Sequence, residues 1–210
     1  LVITAHPAPL DPHAAAACLG RLALADPAAV LPRTDAFLQL RHRVAFAHRL
    51  DPSVPDPTDP FLAGLVPALG CGLRSIDALR RADWTSALRD AMGYPTWMRV
   101  QGLAPERIAV PSGSQRRLAY PPSGPPVLAV RMQELFGATD TPRVGEGRVP
   151  VLLHLLAPNG RPQQITDDLA GFWANTWPEV RKENRARYPK HAWPEDPISA
   201  RPESRPTRRR

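Results

Sequence analysis

The sequence has no apolar run long enough to cross a membrane. Its most apolar stretch, from Val149 to Ala157, is interrupted by Pro150 and His154, whereas a membrane-spanning helix needs ~18 consecutive apolar residues. The start of the chain, at Leu1, shows no basic cluster leading into an apolar segment, so we expect no secretory signal and a fragment of a longer protein. These absences exclude a transmembrane protein and predict a cytoplasmic location.

Cysteine is scarce as well. Cys18 and Cys71 are the two cysteines, and neither stands in the Cys-x-x-Cys or Cys/His spacing that a tetrahedral zinc site requires. We expect both to be reduced, buried thiols. His42 and His48 are six residues apart and fall on different faces of a helix, so they do not form a metal-binding pair. The sequence therefore predicts no metal site.

The chain also lacks the motifs of nucleotide chemistry. It contains neither G-x-x-x-x-G-K-[ST] nor G-x-G-x-x-G, the glycine-rich loops whose backbone holds phosphate groups. Ser112 and Ser114 flank Gly113 without the G-x-S-x-G pattern of a nucleophilic serine, and no histidine lies near them in the sequence. We therefore expect no catalytic residue and no ATP hydrolysis by this chain alone.

What the chain does have is positive charge at one end. The formal net charge is +7, from 27 Lys and Arg against 20 Asp and Glu, and the residues after Val180 carry +6 of it. A basic end on a nearly neutral body favours polyanionic partners, because each phosphate contact releases counterions. A solvated, disordered terminus is the alternative explanation of the same pattern.

The spacing of apolar residues predicts an α+β protein with a helical first half. Residues 1–4 have the composition of the end of a strand, and Asp11 and Thr34 are suited to cap two helices. Four prolines in residues 51–60 predict an extended linker, and short helical patterns then continue to residue 103. We place a helical first domain at residues 1–103. The apolar stripe of its second helix consists of Phe37, Leu40, Val44 and Ala47.

In the second half the pattern changes to short antiparallel strands. Residues 107–110 and 116–120 surround a Pro-Ser-Gly-Ser turn and predict a hairpin. Residues 149–156 are almost entirely apolar and predict a second, buried hairpin with residues 163–165. The segment 127–136 fits either a strand or a helix, and its spacing alone does not decide between them.

Two C-terminal helices and a tail complete the predicted fold. Thr166 begins the first helix, with two aspartates in its first turn. Thr176 and Glu179 form a capping box for the second helix, which is polar on most of its surface. We place a compact mixed domain at residues 104–197 and a disordered basic tail at residues 198–210.

Aromatic and basic side chains alternate around this second helix. Guanidinium groups hold phosphates, and exposed rings stack on bases with ~1 to 3 kcal/mol per base. We therefore predict a site for RNA or single-stranded nucleic acid. The alternative is a structural module in which Trp173 and Trp177 are buried and the arginines pair with carboxylates. The predicted nucleic-acid-binding residues are Arg181, Lys182, Arg185, Arg187, Tyr188, Lys190 and Trp193.

Several longer strings of the second half are too unusual to be generic patterns. The strongest are RYPKHAWPEDP at residues 187–197 and ITDDLAGFW at residues 165–173. In these strings, and in their order and spacing, the chain resembles the C-terminal region of HrpB-type bacterial ATP-dependent helicases. The resemblance covers residues 105–197 strongly, and residues 41–46 and 75–79 weakly. The other matching strings are residues 107–114, 126–137, 141–143 and 149–162.

The resemblance implies that the intact protein is a DEAH-type helicase whose two RecA-like motor domains and winged helix precede Leu1. ATP and Mg²⁺ would act in those motor domains, and this chain would need no cofactor of its own. The implied role is a non-catalytic accessory region that contributes nucleic-acid binding, or else one that docks on the motor and braces it. Its implied partners are RNA or single-stranded nucleic acid and the upstream motor domains.

Overall fold

The computed structural model describes residues 11–204 of the chain. The strand end predicted at residues 1–4 and residues 205–210 of the predicted tail lie outside that range. The chain divides into two compact units, Leu1–Val100 and Gln101–Arg210. The first unit holds helices α1 (Pro12–Ala25), α2 (Pro27–Val30), α3 (Asp35–Leu50), α4 (Asp59–Ala63), α5 (Val66–Leu69) and α6 (Ile76–Arg80), and α7 (Trp84–Leu103) begins there.

Short polar side chains cap three helices of the first unit, two of them at the predicted residues Asp11 and Thr34. The side chains of Asp11, Thr34 and Ser75 accept hydrogen bonds from backbone N–H groups in the first turns of α1, α3 and α6, which satisfies donors that a helix start leaves unpaired. The apolar stripe predicted for α3 faces the core. Its residues Phe37, Leu40, Val44 and Ala47 are all buried.

The proline-rich segment 51–60 packs against α3. Val54 is fully buried, and Arg41 of α3 donates from Nε to the carbonyl oxygen of Pro57 at 3.0 Å while its Nη2 pairs with Asp59. These contacts hold the predicted linker on the unit, and its last two residues already belong to α4. The prolines prevent a regular helix up to residue 58, but burial of the apolar side chain still fixes the segment on the unit.

The second unit is built on strands and a C-terminal helical run. Its strands are β1 (Arg107–Ala109), β2 (Gln115–Ala119), β3 (Val127–Arg131), β4 (Arg143–Val144), β5 (Val149–Pro150), β6 (Leu152–Leu156) and β7 (Pro162–Thr166). Five of them form one sheet in the order β1-β2-β3-β6-β7, and β4 and β5 form a separate pair. The two predicted hairpins, β1 with β2 and β6 with β7, are both antiparallel.

The segment 127–136, whose spacing fitted either a strand or a helix, begins with strand β3. This strand is followed by a 3₁₀ turn, Met132–Leu135, so the strand and the helical turn succeed one another. Strand β3 pairs with β6 in parallel, with Leu128 opposite Leu153. The sheet is therefore mixed, which the prediction of antiparallel strands missed. Residues 132–151 supply the long crossover that a parallel pair requires.

One face of the sheet forms the core of the second unit. The β6–β7 hairpin is buried on that face alone, because alternate residues of a strand point to opposite sides, and Ile165 on the other side is 54% exposed. The prediction of a hairpin buried throughout is corrected accordingly. The inward residues are Leu118, Leu128, Val130, Leu153 and Leu155, each at most 1% exposed.

Two further predictions need correction. Cys18 and Cys71 are free but exposed, since Cys18 lies on the outer side of α1, beside Arg21, and Cys71 lies in the turn after α5. The predicted disorder does not begin at residue 198, because the N–H of Glu203 donates to the carbonyl oxygen of Gln133 at 2.8 Å. Within residues 11–204, no helix is both long and apolar enough to cross a membrane.

Candidate nucleic-acid interface

The predicted basic helix is the last part of one continuous helical run. The run comprises α8 (Leu169–Gly171), a π-turn (Phe172–Thr176) and α9 (Trp177–Arg187). Asp168, not Thr166, caps its start, because Asp168 Oδ1 accepts from the N–H of Gly171 at 2.8 Å. The N–H of Trp177 donates to the carbonyl oxygen of Phe172, five residues earlier.

The capping box predicted at Thr176 and Glu179 is therefore wrong. Thr176 has helical backbone angles, φ −103° and ψ −30°, and its side chain makes no capping hydrogen bond. Pro178 is typical of a helix start because it lacks an N–H group. Here the wider π-turn ends two residues before Pro178, so the helix passes the proline without ending.

A cluster of aromatic rings lies beneath this helical run. Trp177 is 1% exposed, and its ring centroid lies 5.4 Å from that of Trp173 and 5.8 Å from that of Trp193. Trp173 is 5% exposed and Trp193 is 8% exposed. All three indole N–H groups donate to backbone carbonyl oxygens: Trp173 to Ala138, Trp177 to Pro194 and Trp193 to Tyr188. These rings stabilise the unit and offer no free face to a base.

The structure accordingly assigns Trp193 to packing. Stacking on a base requires an exposed ring, whereas the Trp193 ring stacks on Trp177 with an interplanar angle of 26°. Tyr188 lies at the C-terminal end of α9, half-buried, with its ring edge-on to His191 at 6.4 Å between centroids. The base-stacking role predicted for Trp193 is thus corrected by its burial.

The predicted cations divide into paired and unpaired groups. Arg181 donates from Nε to the carbonyl oxygen of Trp193 at 2.9 Å and from Nη2 to Glu195 at 3.0 Å. Arg187 pairs with Glu183 at 3.7 Å. The side chains of Lys182, Arg185 and Lys190 are exposed and form no ion pair with the residues that the structure describes.

A groove of about 540 Å³ is lined by one of these cations, Arg185, whereas Lys182 and Lys190 are not part of its lining. Arg181, Arg185, His191 and Glu195 contribute its charged or titratable side chains, and Trp193 contributes part of its floor. Partial burial, and then the charge of Arg131, lower the pKa of His191 below 6.5, whereas Glu203 acts in the opposite direction. The lowered pKa of His191 favours its neutral ring, and the arginines provide the positive charge of the groove.

Sequence reasoning missed two residues that act on His191, Arg131 and Glu203. Arg131 lies at the end of β3, sixty residues before His191, and only the tertiary structure brings its charge to bear on that ring. Glu203 comes from the segment predicted to be disordered. No group of three or more His, Cys, Asp or Glu side chains is placed to hold a metal ion within the described part of the chain.

Comparison with known proteins places this site in a class. A family model described as the C-terminal region of ATP-dependent helicases matches residues 65–197. The matched part includes the whole sheet, the aromatic cluster and the groove. The chain therefore belongs to the family of ATP-dependent helicase C-terminal regions.

Individual relatives agree with this assignment. The chain is 43% identical over 134 residues to the ATP-dependent RNA helicase HrpB of Escherichia coli strain K12, covering 64% of this chain and 17% of that protein. The crystal structure of the E. coli DExH-box NTPase HrpB superposes with a TM-score of 0.76 at 38% identity, over 82% of this chain and 22% of that one. A second crystal structure, of the E. coli DEAH/RHA helicase HrpB, gives a TM-score of 0.64. The chain thus spans about a fifth of the length of these relatives.

Proposed function

We propose that this chain is a non-catalytic accessory region of an ATP-dependent RNA helicase and holds the phosphate backbone of single-stranded RNA on Lys182, Arg185 and Lys190. The observation that carries the proposal is the exposure of these three cations, without carboxylate partners in the described residues; one of them, Arg185, lines an open groove. A further cation, Arg181, lines the groove but is engaged by Glu195. ATP and Mg²⁺ belong to the motor domains in this proposal, because the chain has no glycine-rich phosphate loop.

The spacing of the cations suits a phosphate chain. Arg185 lies three residues after Lys182 and four after Arg181, so its side chain neighbours both of theirs on α9. Lys190 lies beyond the end of α9 at Arg187. Glu195 competes only weakly with a phosphate for Arg181, because Glu195 is 88% exposed and surface ion pairs contribute only ~0 to 1 kcal/mol. A phosphate in the groove can therefore replace that carboxylate at small cost.

Salt dependence tests the proposal directly. Three phosphate contacts predict a slope of about −2.1 for the logarithm of the affinity against the logarithm of salt concentration, at about −0.7 per contact with a single strand. Binding of a fluorescein-labelled single-stranded oligouridylate, followed by fluorescence anisotropy, measures it. Changing all three residues to glutamine (K182Q, R185Q and K190Q together) is expected to make the slope less steep by about 2.1, compared in chains that lack residues 201–210.

A charge-matched control separates a site from general attraction. Arg107, Arg117 and Arg161 are also exposed, and changing these three to glutamine removes the same charge from β1, β2 and the turn before β7. This variant is expected to keep most of the affinity. If both triple variants weaken binding equally, Lys182, Arg185 and Lys190 form no site and the proposal fails.

A second candidate function is bracing of the motor domains. It is favoured by the buried tryptophans and by the pairing of Arg181 and Arg187 with glutamates, the arrangement expected of a structural module. In that case the glutamine variants of α9 leave RNA affinity unchanged in the intact helicase. Destabilising the aromatic cluster through Trp177→Phe would then lower helicase activity and stability together.

A further inference from the structure

A second surface with aromatic and basic side chains lies in the first unit, around the break in α7. Gly93 interrupts the helix with φ 73° and ψ 163°, a combination that almost only glycine adopts. Pro95 follows and restricts the backbone on the other side. Between them, Tyr94 is 74% exposed, and Met98, one turn further, is 50% exposed. The break therefore presents a tyrosine ring to solvent on a restrained backbone.

Two guanidinium groups lie over the ring of Trp97, one turn after Tyr94, and one of them is exposed. The guanidinium of Arg89 lies over this ring at 5.1 Å and that of Arg43 at 5.6 Å. Arg89 is exposed and pairs with no carboxylate among residues 11–204. Its neighbour Asp90 points to a different side of the helix, since adjacent helical residues do not face each other. The surface thus combines an open ring with an uncompensated positive charge.

We propose that Tyr94 stacks on a base of single-stranded nucleic acid while Arg89 contacts an adjacent phosphate. The inference rests on the proposed function for the class of partner, but it uses a different unit and different residues. Aromatic stacking combined with arginine contacts to the backbone is the usual way in which proteins hold single strands without reading their sequence. Trp97 acts as a positioning residue, because its ring fixes the guanidinium of Arg89.

The size of the surface favours a nucleic acid over a docked protein. Its large exposed apolar side chains are Tyr94 and Met98, whereas a stable protein interface needs roughly 800 Å² from each partner. The exposed surface of the Tyr94 ring and the Met98 thioether is comparable in size to one base. The positive charge of Arg89 and the start of the second part of α7, where helix dipoles favour anions, complement a phosphate.

Substitutions at Tyr94 test the proposal in the whole chain. Tyr94→Ala is expected to lower the affinity for fluorescein-labelled oligouridylate by ~5- to 100-fold, as loss of one stacked base requires. Tyr94→Phe keeps the ring and should bind like the unchanged chain. Leu24→Ala is the matched control, because Leu24 is 68% exposed on α1 of the same unit, and it should leave the affinity unchanged. Circular dichroism verifies that each variant is folded.

Photocrosslinking with a thiouridine-containing oligouridylate separates this inference from the proposed function. A crosslink at Tyr94 that depends on Arg89 supports the inference. Crosslinks confined to residues 181–191, with normal affinity of Tyr94→Ala, overturn it and leave the proposed function standing. Loss of affinity in Tyr94→Ala but not in the α9 glutamine variant supports it and refutes the α9 site. If the unchanged chain binds no oligouridylate, both proposals are wrong.

Discussion

Glu134 is a carboxylate almost completely removed from solvent, at 1% exposure. Its charge is balanced by Arg116 of β2, with Nε to Oε2 at 2.7 Å and Nη2 to Oε2 at 2.6 Å. A buried charge that loses its partner keeps its desolvation cost without compensation. This pair joins the 3₁₀ turn to the neighbouring hairpin. Because Arg116 reaches the surface, a substitution of this one residue is expected to lower the stability of the second unit.

We predict that Arg116→Gln lowers the free energy of unfolding by at least about 2 kcal/mol. The adjacent residue gives the control, because Arg117 pairs with the half-exposed Glu106 at 3.8 Å. Arg117→Gln should change stability by less than about 0.5 kcal/mol. Urea unfolding of both variants measures the difference, and equal stabilities would show that the buried pair contributes nothing.

Asp51 gives the first unit a dependence on acid pH. Hydrogen bonds from the Arg99 side chain, and then from Ser53, lower the pKa of Asp51 to about 2 from its ordinary value of 3.8. Because the folded-state pKa lies below the unfolded one, this contribution to stability is present above pH 3.8 and is lost as the pH falls toward 2. Urea midpoints measured across that range should fall less steeply for Asp51→Asn than for the unchanged chain. Asp90→Asn, at an exposed carboxylate, is the control and should retain the full slope.

At the scale of elements, the run from α8 through the π-turn to α9 shows how one proline is accommodated within a helix. The run begins at the cap Asp168 and ends at Arg187. Its buried side carries Trp173 and Trp177, and its outer side carries the cations. The π-turn therefore sets the direction in which α9 presents Lys182 and Arg185.

The stability of this run should depend on Asp168 and not on Thr176. Asp168→Ala removes the acceptor for the N–H of Gly171 and should cost about 0.5 to 2 kcal/mol. Thr176→Ala, in the middle of the run, should cost no more than about 0.5 kcal/mol. Urea unfolding combined with amide hydrogen exchange over residues 169–176 tests both. A larger loss for Thr176→Ala would restore the capping box.

At the scale of the whole molecule, we propose that the chain is an accessory region of a larger ATP-dependent helicase. It covers 17% of the E. coli helicase that it matches, and its sequence contains no phosphate-binding glycine loop. Holding the β and γ phosphates of ATP during transfer requires such a loop with its lysine. The energy source and the RNA contact are therefore expected on different parts of the intact protein.

We predict that the 210-residue chain releases no phosphate from ATP, with or without RNA. A phosphate-release assay at increasing protein concentration checks this. Turnover that persists after repurification and scales with the amount of chain would contradict the non-catalytic assignment. A motor-containing relative, assayed in parallel, confirms that the conditions support activity.

The sequence by itself determined most of the local structure and the family. Caps such as Thr34, the stripe of α3 and the two hairpins follow from side-chain chemistry acting over a few residues, which is why spacing predicts them. The long strings at residues 165–173 and 187–197 carried the relationship to helicases, because their length makes coincidence improbable.

Only the tertiary structure decided which side chains are available for binding. Burial of Trp193 against Trp177, capture of Arg181 by Glu195, and the parallel pairing of β3 with β6 all join residues that are distant along the chain. No periodicity within a segment encodes such contacts, since they depend on how several elements pack together. Aromatic and basic residues that alternate in the sequence were thereby separated into a buried cluster and an exposed set of cations.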